Sequence, residues 1–244
     1  SKILKCHKHN SPVNLRKAIE ISCNTYFCNI YERYFRSFKN PKIAYDEWYS
    51  HLNSFGIGRY MNNDFVSGST GKLPLSEYFN QLYRGSWNAN TIISMAIGQG
   101  ELLLTPIQMA NMTCILANKG YYYTPHIIKN IEGIDIDSNF TQRKYCSISE
   151  KHFDPVITGM KQVISGEEGT AKNAKVKDIV ICGKTGTAQN PHGEDHSIFI
   201  AFAPEKDPKI AIAVYVENGG WGSTWAAPIA SLIIEKYLKG NTDN

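Results

Sequence analysis

The residues with the clearest chemical potential form a run of Lys, Thr, Gly and Thr at positions 184 to 187. A glycine stands on either side of the Lys184-Thr185 pair, so a ligand backbone could approach this segment closely. Lys184 supplies a fixed positive charge, and Thr185 and Thr187 supply hydroxyl groups suited to a carboxylate. The pattern therefore indicates a strand edge that binds an anion. A turn with a surface lysine would give the same four residues.

A second polar group, Ser22-Cys23-Asn24, interrupts a stretch of helical character. Apolar residues recur at helical spacing over residues 14–38, on both sides of this group. Serine and asparagine are both favourable helix N-caps. We therefore expect Ser22 and Asn24 at a helix junction beside an apolar face, and helix capping alone would also explain them.

Cysteine and histidine residues near the N-terminus have the chemistry of a metal site. Thiolates and imidazoles suit zinc, and a ligand at Cys23 would tether the N-terminal segment to the region of Ser22. A complete tetrahedral set is not visible, so we favour a reduced, buried cysteine with surface histidines and keep zinc as the alternative. The candidate ligands are Cys6, His7, His9 and Cys23.

The chain contains one Ser-x-x-Lys sequence, Ser69 to Lys72, a spacing that can pair a nucleophile with a base. Its third residue is glycine and it continues into Leu73-Pro74, which predicts a loop rather than a helix. We do not expect Ser69 to be catalytic.

The composition is that of an ordinary folded protein, with 42% apolar and 20% charged residues among 244. Its 26 basic and 22 acidic residues are spread along the chain, which argues against a nucleic-acid partner. Apolar runs fall far short of the ~20 residues that cross a bilayer. The chain begins without methionine, so we expect a piece of a longer protein whose targeting elements lie elsewhere. The six cysteines do not by themselves indicate a disulfide framework.

Helical patterns come first along the chain and alternating patterns last. The sequence predicts helices over residues 14–38 (interrupted), 41–55, 105–119, 153–165 and 224–239, a long loop over 56–75, and strands over 179–182, 197–203 and 209–216. The helix predicted over residues 105–119 should bury a stripe of Ile107, Ala110, Cys114 and Ile115. Few charges on the last strand predict that both of its faces are covered. The fold class is α/β (α+β), with a helical lobe over about 10–165 and an antiparallel sheet with a C-terminal helix over about 176–240.

The two polar groups resemble two of the three motifs shared by penicillin-binding proteins and serine β-lactamases, which are Ser-x-x-Lys, Ser-x-Asn and Lys-Thr-Gly. Ser22-Cys23-Asn24 matches the second motif and precedes Lys184, as in those families. Further segments are similar to class B transpeptidases of the elongation type: residues 14–27, 96–100, 104–110, 118–128 and 169–171. The resemblance runs from about residue 5 to the C-terminus and implies the C-terminal part of a transpeptidase domain, incomplete at its N-terminus.

The resemblance implies a D,D-transpeptidase that cross-links D-Ala-D-Ala stem peptides through an acyl-serine. Ser22 would relay a proton to the leaving group, and Asn24 would bind an amide of the substrate or of a β-lactam. Lys184 would hold the electrostatics of the site. The substrate-binding segment would be Thr185, Gly186 and Thr187, with both hydroxyls on the terminal carboxylate and the backbone N–H of Thr187 in the oxyanion hole.

The nucleophile departs from the family pattern. In the family, Ser-x-x-Lys precedes Ser-x-Asn at the start of a buried helix, whereas residues 1–21 contain no such motif. We therefore expect the 244-residue chain to be inactive alone and the parent protein to supply the serine. The resemblance implies stem peptides, β-lactams and the cell-wall elongation machinery as partners, and no required cofactor. It also implies the periplasmic face of the bacterial inner membrane, with the anchor outside this chain.

Two other functions stay open. A noncatalytic relative could use the same groove as a β-lactam sensor or as an assembly module of the cell-wall machinery, and the missing nucleophile favours that reading. A class D-like β-lactamase is the second alternative. The segment from Gly98-Gln99-Gly100 to Gln108 argues against it, because that segment resembles transpeptidases.

Overall fold

The computed structural model describes residue 6, residues 8–65 and residues 67–240. The chain forms two compact units. The sheet unit comprises the residues up to 27 together with those from 150 onward, and the helical unit comprises residues 28–149. The described elements, in chain order, are α1 (Leu15–Glu20), α2 (Asn24–Arg36), α3 (Pro41–Ser54), α4 (Ser76–Leu82), α5 (Pro106–Ala117), β1 (Tyr121–Tyr122), α6 (Ser138–Thr141), β2 (Lys144–Tyr145), α7 (Phe153–Ser165), β3 (Cys182–Ala188), β4 (His196–Ala203), β5 (Ile210–Val216) and α8 (Ala226–Lys239).

The sheet unit is built on an antiparallel sheet of described strands in the order β3-β4-β5. The central strand β4 is mostly buried, and it pairs Ile200 with Lys184 and Ser197 with Thr187 of β3. Helix α8 packs on β4 and β5, while α7 packs on β3 and on α1. This arrangement of an antiparallel sheet with helices confirms the expected fold class.

Helix α7 follows directly from its sequence pattern. Its apolar residues recur at helical spacing, which gives the helix one continuous apolar face toward the core. The buried members of this face are Phe153, Ile157, Met160, Val163 and Ile164. Helix α7 therefore contacts both α1, which precedes Ser22, and β3, which contains Lys184.

Strand β3 differs from its prediction. The alternating pattern predicts a strand over residues 179–182, whereas β3 begins at Cys182 and contains the whole Lys-Thr-Gly-Thr run, in agreement with the strand edge expected from that run. Lys184 through Thr187 pair residue by residue with the apolar strand β4. Pairing with a buried neighbour therefore makes a strand from residues that have no apolar alternation of their own.

Strand β5 also differs from its prediction. Its residues are half-buried and Tyr215 is exposed, so the two faces are not both covered by described residues. Within the part of the chain that the structure describes, β5 pairs only with β4 and forms an edge of the sheet. The small number of charged residues in β5 therefore does not indicate that both of its faces are buried.

The boundary between the two units differs from the predicted helical lobe over about 10–165. Helices α1 and α7 belong to the sheet unit, because the apolar face of α7 packs against both α1 and β3. Helical periodicity shows that an element is a helix but does not show which core it joins. The helical unit therefore covers residues 28–149.

Helix α5 of the helical unit begins as predicted. The N–H of Gln108 donates to the Oγ1 of Thr105 (3.3 Å), the N–H of Thr105 donates to the Oε1 of Gln108 (3.0 Å), and Pro106 occupies the first turn. These reciprocal bonds form a capping box, which satisfies backbone donors that a helix start leaves free. The predicted loop over residues 56–75 precedes it and contains no helix or strand longer than a single bridge among its described residues.

The predicted buried stripe of α5 is wrong for three of its four members. Ile107, Ala110 and Cys114 are half-buried, whereas Ile115 is buried together with three polar residues, Gln108, Asn111 and Thr113. The amide of Gln108 donates to the carbonyl oxygens of Gly56 (3.2 Å), Arg59 (3.3 Å) and Thr70 (2.9 Å). The polar face is buried because it satisfies the backbone of the loop that lies against it.

Aromatic side chains fill the core of the helical unit. Tyr45 lies at its centre, with ring centroids of Phe79 at 5.1 Å and Trp87 at 5.9 Å in edge-to-face geometry. Its hydroxyl donates to the carbonyl oxygen of Pro74 at 2.6 Å, so the buried polar atom is satisfied. No described helix in either unit is long and apolar enough to cross a membrane.

Candidate active site

Ser22 follows Ile21, the C-cap of α1, and has a left-handed backbone conformation with φ of 55°. Its N–H donates to the carbonyl of Ile19 (3.3 Å), and the N–H of Cys23 donates to the carbonyl of Ala18 (2.9 Å). This pair of bonds is the Schellman pattern, in which glycine normally occupies the left-handed position. A side chain there costs about 1 kcal/mol. Ser22 therefore keeps its hydroxyl at the helix end against a local conformational preference.

The N-cap of α2 is Cys23 rather than Ser22 or Asn24. The Sγ of Cys23 accepts a hydrogen bond from the backbone N–H of Tyr26 at 3.3 Å, which is the bond that an N-cap side chain makes. Ser22 belongs to the end of α1, and Asn24 is the first residue of α2. The N-cap bond of α2 is therefore made by Cys23, the residue between Ser22 and Asn24, and not by Ser22.

Lys184 of β3 reaches the same junction. Its Nζ donates to the Oγ of Ser22 and to the carbonyl oxygen of Thr185 (2.9 Å), with a weaker contact to the Oγ1 of Thr185 (3.4 Å). Lys184 as a whole residue is half-buried, but its ammonium group is enclosed, and this burial lowers its pKa to about 8. A lysine whose pKa lies near neutral pH can readily exchange a proton with a hydroxyl group to which it is hydrogen-bonded.

The hydroxyl groups of Thr185 and Thr187 are held by other segments of the sheet unit. The Oγ1 of Thr185 lies 2.9 Å from the Oγ1 of Thr170, and the Oγ1 of Thr187 accepts from the N–H of Gly222 at 3.4 Å. A Cβ at residue 222 would come within 2.4 Å of the carbonyl oxygen of Gly186, so only glycine allows this approach. Both threonines are half-buried.

The backbone of β3 adds a further binding element. β3 lies at one edge of the described sheet, so alternate backbone groups along it point away from β4. An extended peptide can pair with such groups as an added strand. The side chains of Lys184, Thr185 and Thr187 then lie where the end of that peptide could be bound.

The structure therefore brings Ser22, Lys184 and Thr185 into direct hydrogen-bond contact, and it places Asn24 two residues from Ser22 at the start of α2. Gly186 lies in β3 between the two threonines. Thr170, which stands 15 positions before its partner Thr185, belongs to neither of the two motifs. The only signal for it was the similarity of residues 169–171 to class B transpeptidases.

Ser69 has none of the surroundings of a nucleophile. It lies in the irregular loop of the helical unit, is exposed, and its Oγ accepts from the N–H of Gly71 at 3.1 Å. The described residues around it form no helix whose N-terminus could activate it. The structure agrees with the loop that the sequence predicts at this position.

Three of the four candidate zinc ligands lie together, and His7 lies outside the described residues. The Sγ of Cys6 lies 3.5 Å from the Nε2 of His9 and 3.7 Å from the Sγ of Cys23. All three ligand atoms lie within 4.8 Å of one another. Around a tetrahedral zinc ion, two sulfurs stand about 3.8 Å apart and a sulfur and a nitrogen about 3.5 Å apart. The donor set and its spacing fit zinc.

The two cysteines of the cluster differ in how readily they ionise. Burial opposes ionisation of Cys6, but hydrogen bonds from Thr25, His9 and Cys23 outweigh it and lower the pKa of Cys6 to about 7. Burial raises the pKa of Cys23, and its neighbour Cys6 adds to that increase. Cys6 therefore ionises more readily than Cys23, and a bound cation would favour the thiolate form of both.

Comparison with known proteins agrees with this geometry. Residues 1–235 match the family described as the penicillin binding protein transpeptidase domain. The chain is 30% identical to the peptidoglycan D,D-transpeptidase MrdA of Haemophilus influenzae, over 92% of this chain and 36% of that protein. The chain thus spans about a third of that relative's length.

Solved structures show the same fold. Pseudomonas aeruginosa PBP2 in complex with WCK 5153 superposes with a TM-score of 0.80 and 33% identity, covering 93% of this chain and 47% of that one. Helicobacter pylori PBP2, in a complex with MreC, superposes with a TM-score of 0.78 and 26% identity, covering 97% of this chain and 44% of that one. The chain belongs to the penicillin-binding protein transpeptidase domain family, in its elongation-type class B group, as its motifs predicted.

Proposed function

We propose that this chain is the substrate-binding part of a serine D,D-transpeptidase that cross-links peptidoglycan, acting with a Ser-x-x-Lys segment that supplies the nucleophile. The observation that carries the proposal is the contact between Lys184 and Ser22, which joins the Lys-Thr-Gly and Ser-x-Asn motifs in one site. Family membership and the anion-binding chemistry of β3 support it.

In the proposed acylation step, the nucleophilic serine oxygen forms a bond with the carbonyl carbon of the penultimate D-Ala, and the bond to the nitrogen of the terminal D-Ala breaks. The nucleophile's proton passes to the lysine of its own Ser-x-x-Lys segment. The departing amine needs a proton, which the Ser22 hydroxyl gives while it accepts one from the Nζ of Lys184. A lysine pKa of about 8 makes this donation easier than from an ordinary lysine.

Substrate binding would use the rest of the site. The terminal carboxylate of the stem peptide would accept hydrogen bonds from the hydroxyls of Thr185 and Thr187, beside the charge of Lys184. The backbone N–H of Thr187 would donate to the oxyanion, and the amide of Asn24 would bind the peptide backbone. In the second step the nitrogen of an acceptor amine would form a bond with the acyl carbon while the ester bond to the serine oxygen breaks. The amine's proton would return through Ser22 to Lys184, and the lysine of the Ser-x-x-Lys segment would return its proton to the serine oxygen.

Partners and location follow from the same proposal. The solved Helicobacter pylori relative is a complex of PBP2 with MreC, which supports a place for this chain within the cell-wall elongation machinery. The stem peptides lie outside the cytoplasmic membrane, so the site would work at the periplasmic face of the bacterial inner membrane, on a membrane-anchored parent protein. β-Lactams would acylate the same serine.

We further propose that Cys6, His9 and Cys23 hold a structural zinc ion. Its support is the spacing of the three donor atoms, which fits a tetrahedral site with a fourth ligand still to be assigned. His7 is the nearest candidate in sequence for the fourth position. The ion would tie the N-terminal segment to Cys23, between Ser22 and Asn24, and would stabilise the junction rather than take part in acyl transfer.

Labelling with a fluorescent penicillin tests the enzymatic proposal. The 244-residue chain alone should remain at background, because covalent capture needs a serine, its base and two converging N–H donors, and loss of one donor already costs about 100- to 1,000-fold in rate. A longer protein that adds the Ser-x-x-Lys segment should be labelled. Stoichiometric labelling of the 244-residue chain that Ser69→Ala abolishes would show that Ser69 is the nucleophile. An unlabelled longer protein would favour a noncatalytic assembly module.

A further inference from the structure

The hydroxyl groups of Thr170 and Thr185 lie 2.9 Å apart, in a contact that neither family motif includes. We propose that Thr170 is a positioning residue that orients the Thr185 hydroxyl toward the substrate's terminal carboxylate. This inference rests on the proposed function, because it assigns Thr185 to carboxylate binding. It concerns a residue outside Ser-x-Asn and Lys-Thr-Gly that acts only through Thr185.

The direction of the hydrogen bonds around Thr185 explains the effect. A threonine hydroxyl has one proton to donate and can accept two hydrogen bonds. The Nζ of Lys184, which only donates, lies 3.4 Å from the Oγ1 of Thr185, and the Thr170 hydroxyl can donate to the same oxygen. With both acceptor positions of Oγ1 used in this way, the single proton of Thr185 is left for an acceptor such as a carboxylate.

The backbone around Thr170 is held firmly enough to fix this geometry. The N–H of Ala171 donates to the carbonyl of Val163 in α7 at 2.9 Å, and Ala171 is fully buried. A Cβ at Gly169 would stand 2.4 Å from the same carbonyl oxygen, so the chain passes α7 at a distance that only glycine allows. Thr170 therefore projects from a segment with fixed residues on both sides.

The turn over residues 166–170, which carries Thr170, also contacts helix α1, which precedes Ser22. The buried carboxylate of Glu20, in the last position of α1, accepts a hydrogen bond from the backbone N–H of Glu168 at 3.2 Å. Lys17 forms ion pairs with both Glu20 (3.1 Å) and Glu168. The turn over residues 166–170 thus contacts α1, which precedes Ser22, through Glu168 and contacts β3 through Thr170.

The test uses the full-length protein that contains these residues and the nucleophilic serine. Acylation rates are measured with a penicillin that carries its free carboxylate and with its methyl ester. Thr170→Val keeps the shape of the side chain and removes the hydroxyl, so we expect acylation by the free acid to slow about 5- to 10-fold and acylation by the ester to change less than about 2-fold. Thr170→Ser keeps the hydroxyl and should restore the wild-type rate with the free acid.

A double-mutant cycle separates positioning from folding. If Thr170 acts through Thr185, Thr170→Val should add almost nothing to the loss caused by Thr185→Val. Circular dichroism melting of each variant shows whether it is folded. Equal loss with acid and ester, additive losses in the double variant, or no rescue by serine would overturn the proposal.

If the proposed function itself is wrong, the wild-type protein will not be acylated by either compound. Calorimetric binding of a D-Ala-D-Ala peptide, compared with the same peptide bearing a C-terminal amide, would then judge Thr170 without acylation. A carboxylate-dependent loss of affinity in Thr170→Val, rescued in Thr170→Ser, would still support the inference, and unchanged affinity would contradict it.

Discussion

The Nζ of Lys184 donates a hydrogen bond to the Oγ of Ser22, although the two residues stand 162 positions apart. Ser22 is strained at the end of α1, and the Lys184 ammonium is enclosed in β3, so each side of this contact is locally unfavourable. Strained backbone and buried charge tend to persist at sites where function requires them. Both features lead to measurable predictions.

The strain at Ser22 predicts a specific order of stability among variants. Ser22→Gly and Ser22→Ala both remove the hydroxyl that Lys184 contacts, so that loss is the same in each. Glycine relieves the left-handed conformation and alanine does not, so we expect Ser22→Gly to be more stable than Ser22→Ala by about 1 kcal/mol in urea unfolding. Both should slow acylation in the full-length protein. Equal stability of the two variants would show that the φ of 55° carries no strain.

The buried Lys184 predicts a pH dependence of stability. Burial lowers its pKa from 10.5 to about 8, so between these values the unfolded chain binds more protons than the folded chain. Stability contributed by this group should therefore rise as pH increases from about 8 to 10.5, and the charge penalty should be fully present below pH 8. Urea unfolding of the wild type and of Lys184→Met, measured across this range, isolates the contribution as the difference between the two curves. A difference that does not change with pH would contradict the enclosed ammonium.

The sequence predicts elements well where local patterns decide them. The apolar residues of α7 repeat at helical spacing, and the capping box of α5 is visible as Thr105 followed three residues later by Gln108. The limits of β3 could not be read in this way, because Lys-Thr-Gly-Thr owes its strand conformation to pairing with β4. The polar buried face of α5 was missed because Gln108 satisfies loop carbonyls that are distant in sequence.

The candidate site also depends on contacts between residues that are distant in sequence. No local pattern predicts that Ser22 meets Lys184, and the resemblance to a family suggested it. The left-handed conformation of Ser22 could not be foreseen, since serine is not the usual residue at that position of a Schellman turn. Thr170 was missed because its contact with Thr185 depends on how the turn after α7 packs on β3.

Gln108 should be among the most sensitive residues of the helical unit. Its side-chain amide donates to three loop carbonyls, and its Oε1 accepts from the N–H of Thr105. Gln108→Ala leaves buried backbone groups without partners, which costs about 1–3 kcal/mol for each unsatisfied group. We therefore expect the free energy of unfolding in urea to fall by at least ~2 kcal/mol.

Gln142→Ala, at an exposed position of the same unit, serves as the matched control and should change the free energy of unfolding by less than about 0.5 kcal/mol. Similar effects of the two substitutions would contradict the role of Gln108 in holding the loop.

The zinc proposal makes the last prediction. Protein purified without chelators should contain about one zinc ion per chain by elemental analysis, because its donor atoms already have tetrahedral spacing. Removing a thiolate ligand should weaken metal binding at least ~10-fold, so Cys6→Ser and Cys23→Ser should each lose the zinc. A chelator should then lower the melting temperature of the wild type but not that of these two variants. Cys146→Ser is the matched control, since Cys146 is half-buried in the helical unit and lies outside the cluster. Protein without zinc in which Cys6 and Cys23 are freely alkylated would show that the cluster is a pair of reduced thiols beside a histidine.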